Sequence, residues 1–143
     1  MFGAGRSFCG LRKKSGGEVT ASADEIAKNL AENAVTSDTL SSITSDILAS
    51  TYFVDMEQVA DSAAYLSTGA SACEAAVIQC KDSSYTSEVT ELFETRVQNQ
   101  SDLFGSYNAG EVEKLDNAII KTSGNYVVLF VGDDTEKAEE ILS

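Results

Sequence analysis

The chain has 143 residues, a formal net charge of −13, and no His, Pro or Trp. Without His it lacks the commonest general base near neutral pH and imidazole ligands for metal ions. Residues 1–14 carry four basic side chains and no acid, so the rest has a net charge of −17, which disfavours binding to nucleic acid or anionic lipid.

Residues 1–20 are basic and glycine-rich, and they lack the apolar run of a secretory signal peptide. We expect a disordered tail over residues 1–20 and a single α+β domain over residues 21–143. No stretch approaches the roughly 20 apolar residues that a membrane span requires. Arg6 and Phe8 do not fit the sequence before a lipid-attachment cysteine at Cys9.

Helical spacing of apolar residues predicts the first elements of this domain. Ser22 and Glu25 form a capping box, and the apolar stripe behind them predicts a helix over Ala23–Ala34. Weaker spacing over residues 40–48 predicts a second helix, for which Thr36–Asp38 would supply the cap.

Two apolar segments with turn residues at their ends, Val59–Thr68 and Ala72–Lys81, predict a pair of strands. Cys73 and Cys80 are seven residues apart in the second strand, so they point to opposite faces and cannot form a disulfide with each other. We expect both thiols to be small buried side chains, because unpaired cysteines are among the most buried residues.

The longest amphipathic pattern predicts a helix over residues 85–104, capped by Ser83 or Ser84 and ended by Gly105. A short helix over Glu111–Asp116 follows it. These helices separate the first pair of predicted strands from the strands that follow, so the strands occur in adjacent pairs along the chain.

The C-terminal third is centred on a β-hairpin within Asn117–Gly132, with its turn at Ser123-Gly124. Its second strand, Tyr126–Val131, is apolar at every position, which predicts an interior strand with both faces sheltered. Asp133 and Glu136 would cap a final helix. The order of elements predicts an α+β fold, with about four strands in a mainly antiparallel sheet and helices mostly on one face.

No catalytic, cofactor-binding or metal-binding residue is assigned, and no cofactor is expected. Glu74 lies in an apolar strand, where it is either an acid/base group with a raised pKa or a structural carboxylate that faces solvent or pairs with a lysine such as Lys121. Asp133, Asp134 and Glu136 either bind a cation or cap a helix, and capping is favoured because the spacing of a calcium loop is absent.

Several aromatic residues could line a groove for a small molecule or a peptide, although such residues more often belong to the core. These are Tyr65, Tyr107 and Tyr126, with Phe104. The candidate surface therefore comprises Glu74, Tyr65, Tyr107, Tyr126, Asp133 and Asp134.

Six motifs in this order resemble the bacterial family called domain of unknown function 4358. They are Tyr52-x-Val54-Asp55-x-Glu57-x-Val59, Ala70-x-Ala72-x-Glu74-x-Ala76-Val77-Ile78-x-x-Lys81-Asp82, Phe104-x-x-Tyr107, Leu115-x-Asn117-Ala118, Gly124-Asn125-Tyr126-Val127 and Gly132-Asp133-Asp134-x-x-x-Ala138. The resemblance covers about Ser22 to Ser143. Ala75 stands where the family usually has isoleucine, and the family's hydrophobic signal and lipid-attachment cysteine are not seen.

The resemblance implies an extracytoplasmic protein of Gram-positive bacteria, membrane-anchored like a lipoprotein or secreted, with no known activity. Two functions follow. The first is a non-catalytic binding domain of the cell envelope, which contacts an unknown protein or small molecule through a sheet edge or a helix-free face of the sheet. The second is a His-free enzyme that uses carboxylates, with Glu74 and a partner such as Asp61.

Overall fold

A computed structural model describes residues 22–35, 39–67 and 71–142, apart from the side chain of Tyr107. The tail predicted over residues 1–20 and the cap predicted at Thr36–Asp38 lie outside this part. The described helices and strands are, in order, α1 (Ala23–Asn33), β1 (Leu40–Ser42), α2 (Ser45–Tyr52), β2 (Val59–Ser67), β3 (Glu74–Cys80), α3 (Thr86–Tyr107), α4 (Ala109–Asp116), β4 (Ile119–Ser123), β5 (Tyr126–Val131) and α5 (Thr135–Leu142). Single turns of 3-10 helix over Met56–Gln58 and Ser83–Tyr85 precede β2 and α3.

The five described strands form one sheet in the order β1-β2-β3-β5-β4, and every neighbouring pair is antiparallel. The predicted α+β class with an antiparallel sheet is confirmed, with one strand more than expected. The additional strand is Leu40–Ser42, which was wrongly predicted to begin a helix. Its three residues pair with the distant end of β2, so local periodicity could not reveal it.

Different helices cover the two faces of the sheet. α1 and α5 pack over Val77, Val128 and Phe130, which face one way. α2, α3 and α4 pack over Ile78 and Leu129, which face the other way. Helices therefore cover both faces instead of mostly one, and this double coverage explains why all six residues of β5 are apolar and buried.

Two elements that depend on local signals, the capped start of α1 and the hairpin near the C-terminus, form as the sequence predicts. Ser22 Oγ accepts a 3.1 Å hydrogen bond from the backbone N–H of Glu25, which completes the capping box of α1. The predicted hairpin is present as β4 and β5, and its turn lies one residue later than predicted, at Gly124-Asn125. Gly124 has a φ of +59°, which glycine adopts without a steric penalty.

The start and end of α3 differ from prediction. The carboxylate of Asp82, rather than Ser83 or Ser84, accepts a backbone hydrogen bond at the 3-10 turn that leads into α3. The helix also continues through Gly105, because glycine costs only about 1 kcal/mol inside a helix and tertiary packing outweighs that cost.

None of the described helices combines the length and apolarity that crossing a bilayer requires.

Candidate functional site

The buried carboxylate of Glu74 anchors the most unusual polar cluster in the described part of the chain. Glu74 begins β3, the central strand, where it lies opposite Leu66 of β2 and Val131 of β5. Its side chain points to the face that α2 and α3 cover, and the residue is only 2% exposed. A buried carboxylate is costly unless it is paired and hydrogen-bonded, so its partners determine what it can do.

Glu74 receives three hydrogen bonds from two side chains. Arg96 of α3 donates from Nη2 to Oε1 at 3.0 Å and from Nε to Oε2 at 3.3 Å, which is a bidentate ion pair. The phenol of Tyr52, at the end of α2, donates to Oε2 at 2.7 Å. The carboxylate of Glu74 is therefore held by one side chain from α2 and one from α3. Lys121, which was predicted to be its partner, forms an ion pair with Glu139 instead.

Aromatic contacts complete this network. The guanidinium carbon of Arg96 lies 5.6 Å from the ring centroid of Tyr52, within the range of a cation–π interaction. The Tyr52 ring also meets Phe93 edge to face, with centroids 5.4 Å apart. These contacts fix the rotamer of Tyr52, and through it the position of the last turn of α2.

The network shifts the pKa of two of its members. Burial, the charge of Glu74 and the hydrogen bond to Glu74 all raise the pKa of Tyr52, so the phenol stays protonated and keeps donating. For Arg96, burial acts to lower the pKa, but the charge and hydrogen bonds of Glu74 outweigh it and the pKa rises. The network is therefore an Arg–Glu ion pair with no net charge, joined by a protonated phenol.

Arg96 also borders a cleft between α2 and α3. The cleft has a volume of about 300 Å³. Its walls come from the end of α2 and from one face of α3, and the lining residues are Ser50, Thr51, Tyr52, Phe53, Leu92, Thr95, Arg96 and Asn99. Because Nε and Nη2 of Arg96 bind Glu74, the side of the guanidinium away from Glu74 is the side available to a molecule in the cleft.

Phe53, at the mouth of this cleft, has a strained and exposed conformation. It directly follows α2 with φ 61° and ψ 34°, in the left-handed region where helices usually end with glycine. It is the only described residue other than glycine with a positive φ. The residue is 72% exposed, so burial of its side chain does not offset the backbone strain.

The surroundings hold Phe53 in this conformation. The backbone N–H groups of Phe53 and Val54 both donate to the carbonyl of Ala49. The next N–H, that of Asp55, donates to the phenol oxygen of Tyr85 at 2.9 Å. The chain leaving α2 is therefore tied to the 3-10 turn that precedes α3, and the Phe53 side chain is exposed to solvent.

Three large apolar side chains are exposed in the described part of the chain, and one of them, Phe53, lines this cleft. They are Ile47, Phe53 and Leu103. Ile47 lies one helical turn before the cleft residues Ser50 and Thr51, and Leu103 lies one turn after Asn99. Helical spacing therefore places apolar side chains beyond both ends of a cleft whose lining includes hydroxyl, amide and guanidinium groups.

The aromatic residues predicted to share a groove are separated by the sheet. Tyr65 and Tyr126 lie on the face that α1 covers, whereas Phe104 lies on the opposite face. Tyr107 ends α3, and its side chain lies outside the described part. The phenol of Tyr65 donates a 2.6 Å hydrogen bond to the carboxylate of Asp24. Burial, followed by the hydrogen bond and charge of Asp24, raises the pKa of Tyr65 to about 12. Burial, with the charges of Asp61 and Glu25, raises the pKa of Tyr126.

The acidic cluster after β5 is used for structure. Asp134, rather than the predicted Asp133, caps α5 by accepting a 2.9 Å hydrogen bond from the backbone N–H of Lys137. Asp133 forms an ion pair with Lys114 at 3.4 Å. The described residues contain no group of three or more His, Cys, Asp or Glu side chains that could hold a metal ion.

The predicted carboxylate pair is wrong, because Asp61 and Glu74 lie on opposite faces of the sheet. A register shift between Val59 and Asp61 turns Asp61 toward α1, where it accepts a 2.9 Å hydrogen bond from the backbone N–H of Ala23.

Cys73 and Cys80 lie buried on opposite faces of the sheet, as predicted. Burial raises the pKa of the Cys80 thiol to about 11, which makes it a poor nucleophile.

Sequence reasoning placed Glu74 among the candidate residues but overlooked Tyr52, Phe53 and Arg96. One signal was present: Arg96 interrupts the apolar stripe of a predicted helix, and Glu74 interrupts an apolar strand. Opposite charges at two such positions indicate a buried ion pair between them. No comparable signal marked Phe53, because phenylalanine does not favour the left-handed backbone conformation that it adopts here.

Comparison with known proteins gives one result, a match to a protein-family model. A family model described as "Domain of unknown function (DUF4358)" matches residues 32–132, which is more than half of the chain. No curated protein and no solved structure matches this chain significantly.

Proposed function

We propose that this chain, which belongs to the family described as Domain of unknown function (DUF4358), is a non-catalytic binding domain of the bacterial cell envelope. The envelope location follows from what the family resemblance implies. The contact surface is the cleft between α2 and α3, with Phe53 at its mouth. The sequence led us to expect contact through a sheet edge or a helix-free face, and in the described part of the chain both faces are covered, since α1 and α5 pack on the face opposite α3.

The conformation of Phe53 is the observation that carries this proposal. A non-glycine residue in the left-handed region costs about 1–2 kcal/mol, and an exposed ring returns little of it through burial. Strained residues cluster at ligand-binding sites, where the strain holds a group in the position that binding requires. A large aromatic side chain directed into solvent beside a cleft is suited to contact a partner.

The chemistry of the buried carboxylate supports binding over catalysis. Both carboxylate oxygens of Glu74 already accept hydrogen bonds from Arg96 or Tyr52, so each oxygen is engaged within the protein. The second carboxylate of the alternative function, Asp61, lies on the other face of the sheet. A pair of acids across one cleft, as in glycoside hydrolases, is therefore not formed by these two residues.

A capture experiment with cell-envelope extract tests the proposal. The full chain, a Phe53→Gly variant and a Lys28→Ala variant are immobilised separately. Glycine is compatible with the backbone at this position, so Phe53→Gly removes the ring and keeps the fold. Lys28 is an exposed residue of α1, on the far face of the sheet, and serves as the control.

We expect an envelope component to be retained by the unmodified chain and by Lys28→Ala, and to be lost from Phe53→Gly. Equal retention by all three proteins would place the contact elsewhere. Retention of nothing above the background of a blank matrix would remove the support for a binding function.

A further inference from the structure

We infer that the cleft between α2 and α3 receives a large apolar side chain carried by a basic segment of a partner protein. This inference rests on the proposed binding function and specifies the chemistry of the partner. It is drawn from the size of the cleft, the apolar residues in and beside it, and the charge around it.

The size and lining of the cleft fit one or two side chains. Its volume of about 300 Å³ is at the lower limit of sites that enclose a small-molecule ligand. Phe53 and Leu92 contribute apolar walls, and Ile47 and Leu103 extend the apolar surface beyond the two ends. An apolar anchor inserted between α2 and α3 would be covered by these residues, in the way that hot-spot side chains fill pockets at protein interfaces.

The polar groups of the cleft suit the main chain of a peptide. Arg96 presents guanidinium N–H groups, while Thr95 and Asn99 present a hydroxyl and an amide on the same face of α3. Such donors and acceptors match backbone C=O and N–H groups without adding a net charge. Because Glu74 already balances the charge of Arg96, the cleft has no excess cation with which to select an anion.

The charge around the cleft is negative. α2 and α3 contain five acidic residues and a single basic one, Arg96, which is paired with Glu74. Four of the acids lie one helical turn from a residue that lines the cleft: Asp46, Glu88, Glu91 and Asp102. This field attracts basic partners and repels acidic ones, so a segment that combines Lys or Arg with an apolar anchor is the complementary partner.

A selection from a library of random short peptides tests the inference. Displayed peptides are selected on the full chain, after removal of every peptide that binds the Phe53→Gly variant. Since this variant keeps all charges of the chain, the removal step discards peptides that bind only through the acidic surface. Enriched peptides are then synthesised, and their affinities are measured by fluorescence anisotropy at low and at physiological ionic strength.

We expect enriched peptides to carry a net positive charge and at least one large aliphatic or aromatic residue. Phe53→Gly should weaken their binding by about tenfold or more, as expected for loss of an aromatic hot spot. Removal of one acidic charge beside the cleft by Glu91→Gln should weaken binding about two- to fivefold at low salt, and less at physiological salt. The matched control, Glu32→Gln on α1, should leave the affinity unchanged.

The outcomes separate this inference from the proposed function. Enrichment of acidic or uncharged peptides that require Phe53 would overturn the basic partner while supporting a binding cleft. Basic peptides whose affinity is unaffected by Glu91→Gln would also contradict the role of the acidic residues beside the cleft. Failure to enrich any peptide that depends on Phe53 would count against both the partner and the cleft.

Discussion

The phenol of Tyr52 donates a 2.7 Å hydrogen bond to Oε2 of Glu74, and this bond ties the end of α2 to the central strand of the sheet. The next residue along the chain is Phe53, whose strained backbone directs its ring into solvent. The buried ion pair on α3 and the exposed aromatic residue are thus connected through Tyr52. We expect changes in the ion pair to alter both stability and the shape of the cleft.

Removal of the arginine should be strongly destabilising. Arg96→Met leaves Glu74 as a buried charge without its cation, so we expect a loss of about 3 kcal/mol or more in the free energy of unfolding. Urea denaturation of the purified chain measures this value. The double variant Glu74→Gln with Arg96→Met should lose less, since Gln still accepts from Tyr52 and no charge is left buried. Equal losses in both variants would show that packing, rather than charge, accounts for the effect.

Two substitutions of Phe53 distinguish backbone strain from side-chain packing. Phe53→Gly relieves the cost of the left-handed conformation, while Phe53→Ala retains it. Because glycine also gains entropy in the unfolded chain, we expect the free energy of unfolding of Phe53→Gly to exceed that of Phe53→Ala by only about 1 kcal/mol. Thermal and urea denaturation provide the comparison. An alanine variant as stable as the glycine variant would contradict the strain.

Gly132 is required by packing rather than by its backbone angles. A Cβ at this position would overlap the ring of Phe130, which is fully buried between the sheet and its helices. We expect Gly132→Ala to lower the free energy of unfolding by about 1–3 kcal/mol, the usual cost of overpacking. Gly105→Ala is the matched control: nothing lies within 4 Å of its added Cβ, so this helical substitution should stabilise the protein. A neutral Gly132→Ala would mean that the ring can move.

Stability should fall in alkaline solution because of Tyr65. In the folded state its pKa is raised from 10.0 to about 12, so the folded chain keeps a proton that the unfolded chain loses. The contribution to stability is complete below pH 10 and is lost as the pH rises toward 12. Urea denaturation at a series of pH values measures this loss, and Tyr65→Phe should reduce its slope. An unchanged slope in Tyr65→Phe would assign the loss to other groups.

Much of the fold could be predicted because it depends on neighbours in the chain. The capping box at Ser22 and Glu25, the glycine turn at Gly124 and the apolar run of β5 are local patterns. Each forms as expected, except that the turn lies one residue later in the chain. The prediction failed where distant residues decide. β1 is a strand only because it pairs with β2, and α3 passes through Gly105 because its packing outweighs a weak local stop signal.

The sequence by itself determined the class of the fold and the interior position of β5, because hydrophobic periodicity and turn residues act over a few neighbouring positions. The family resemblance came from the order and spacing of six motifs, and the family model confirms it. The tertiary structure alone decided the candidate site. Glu74 and Arg96 are 22 residues apart, and only the packing of α3 on the sheet makes them an ion pair. The bulge in β2 likewise directs Asp61 away from Glu74. Side-chain direction and long-range contact depend on how the elements pack, which no local pattern specifies.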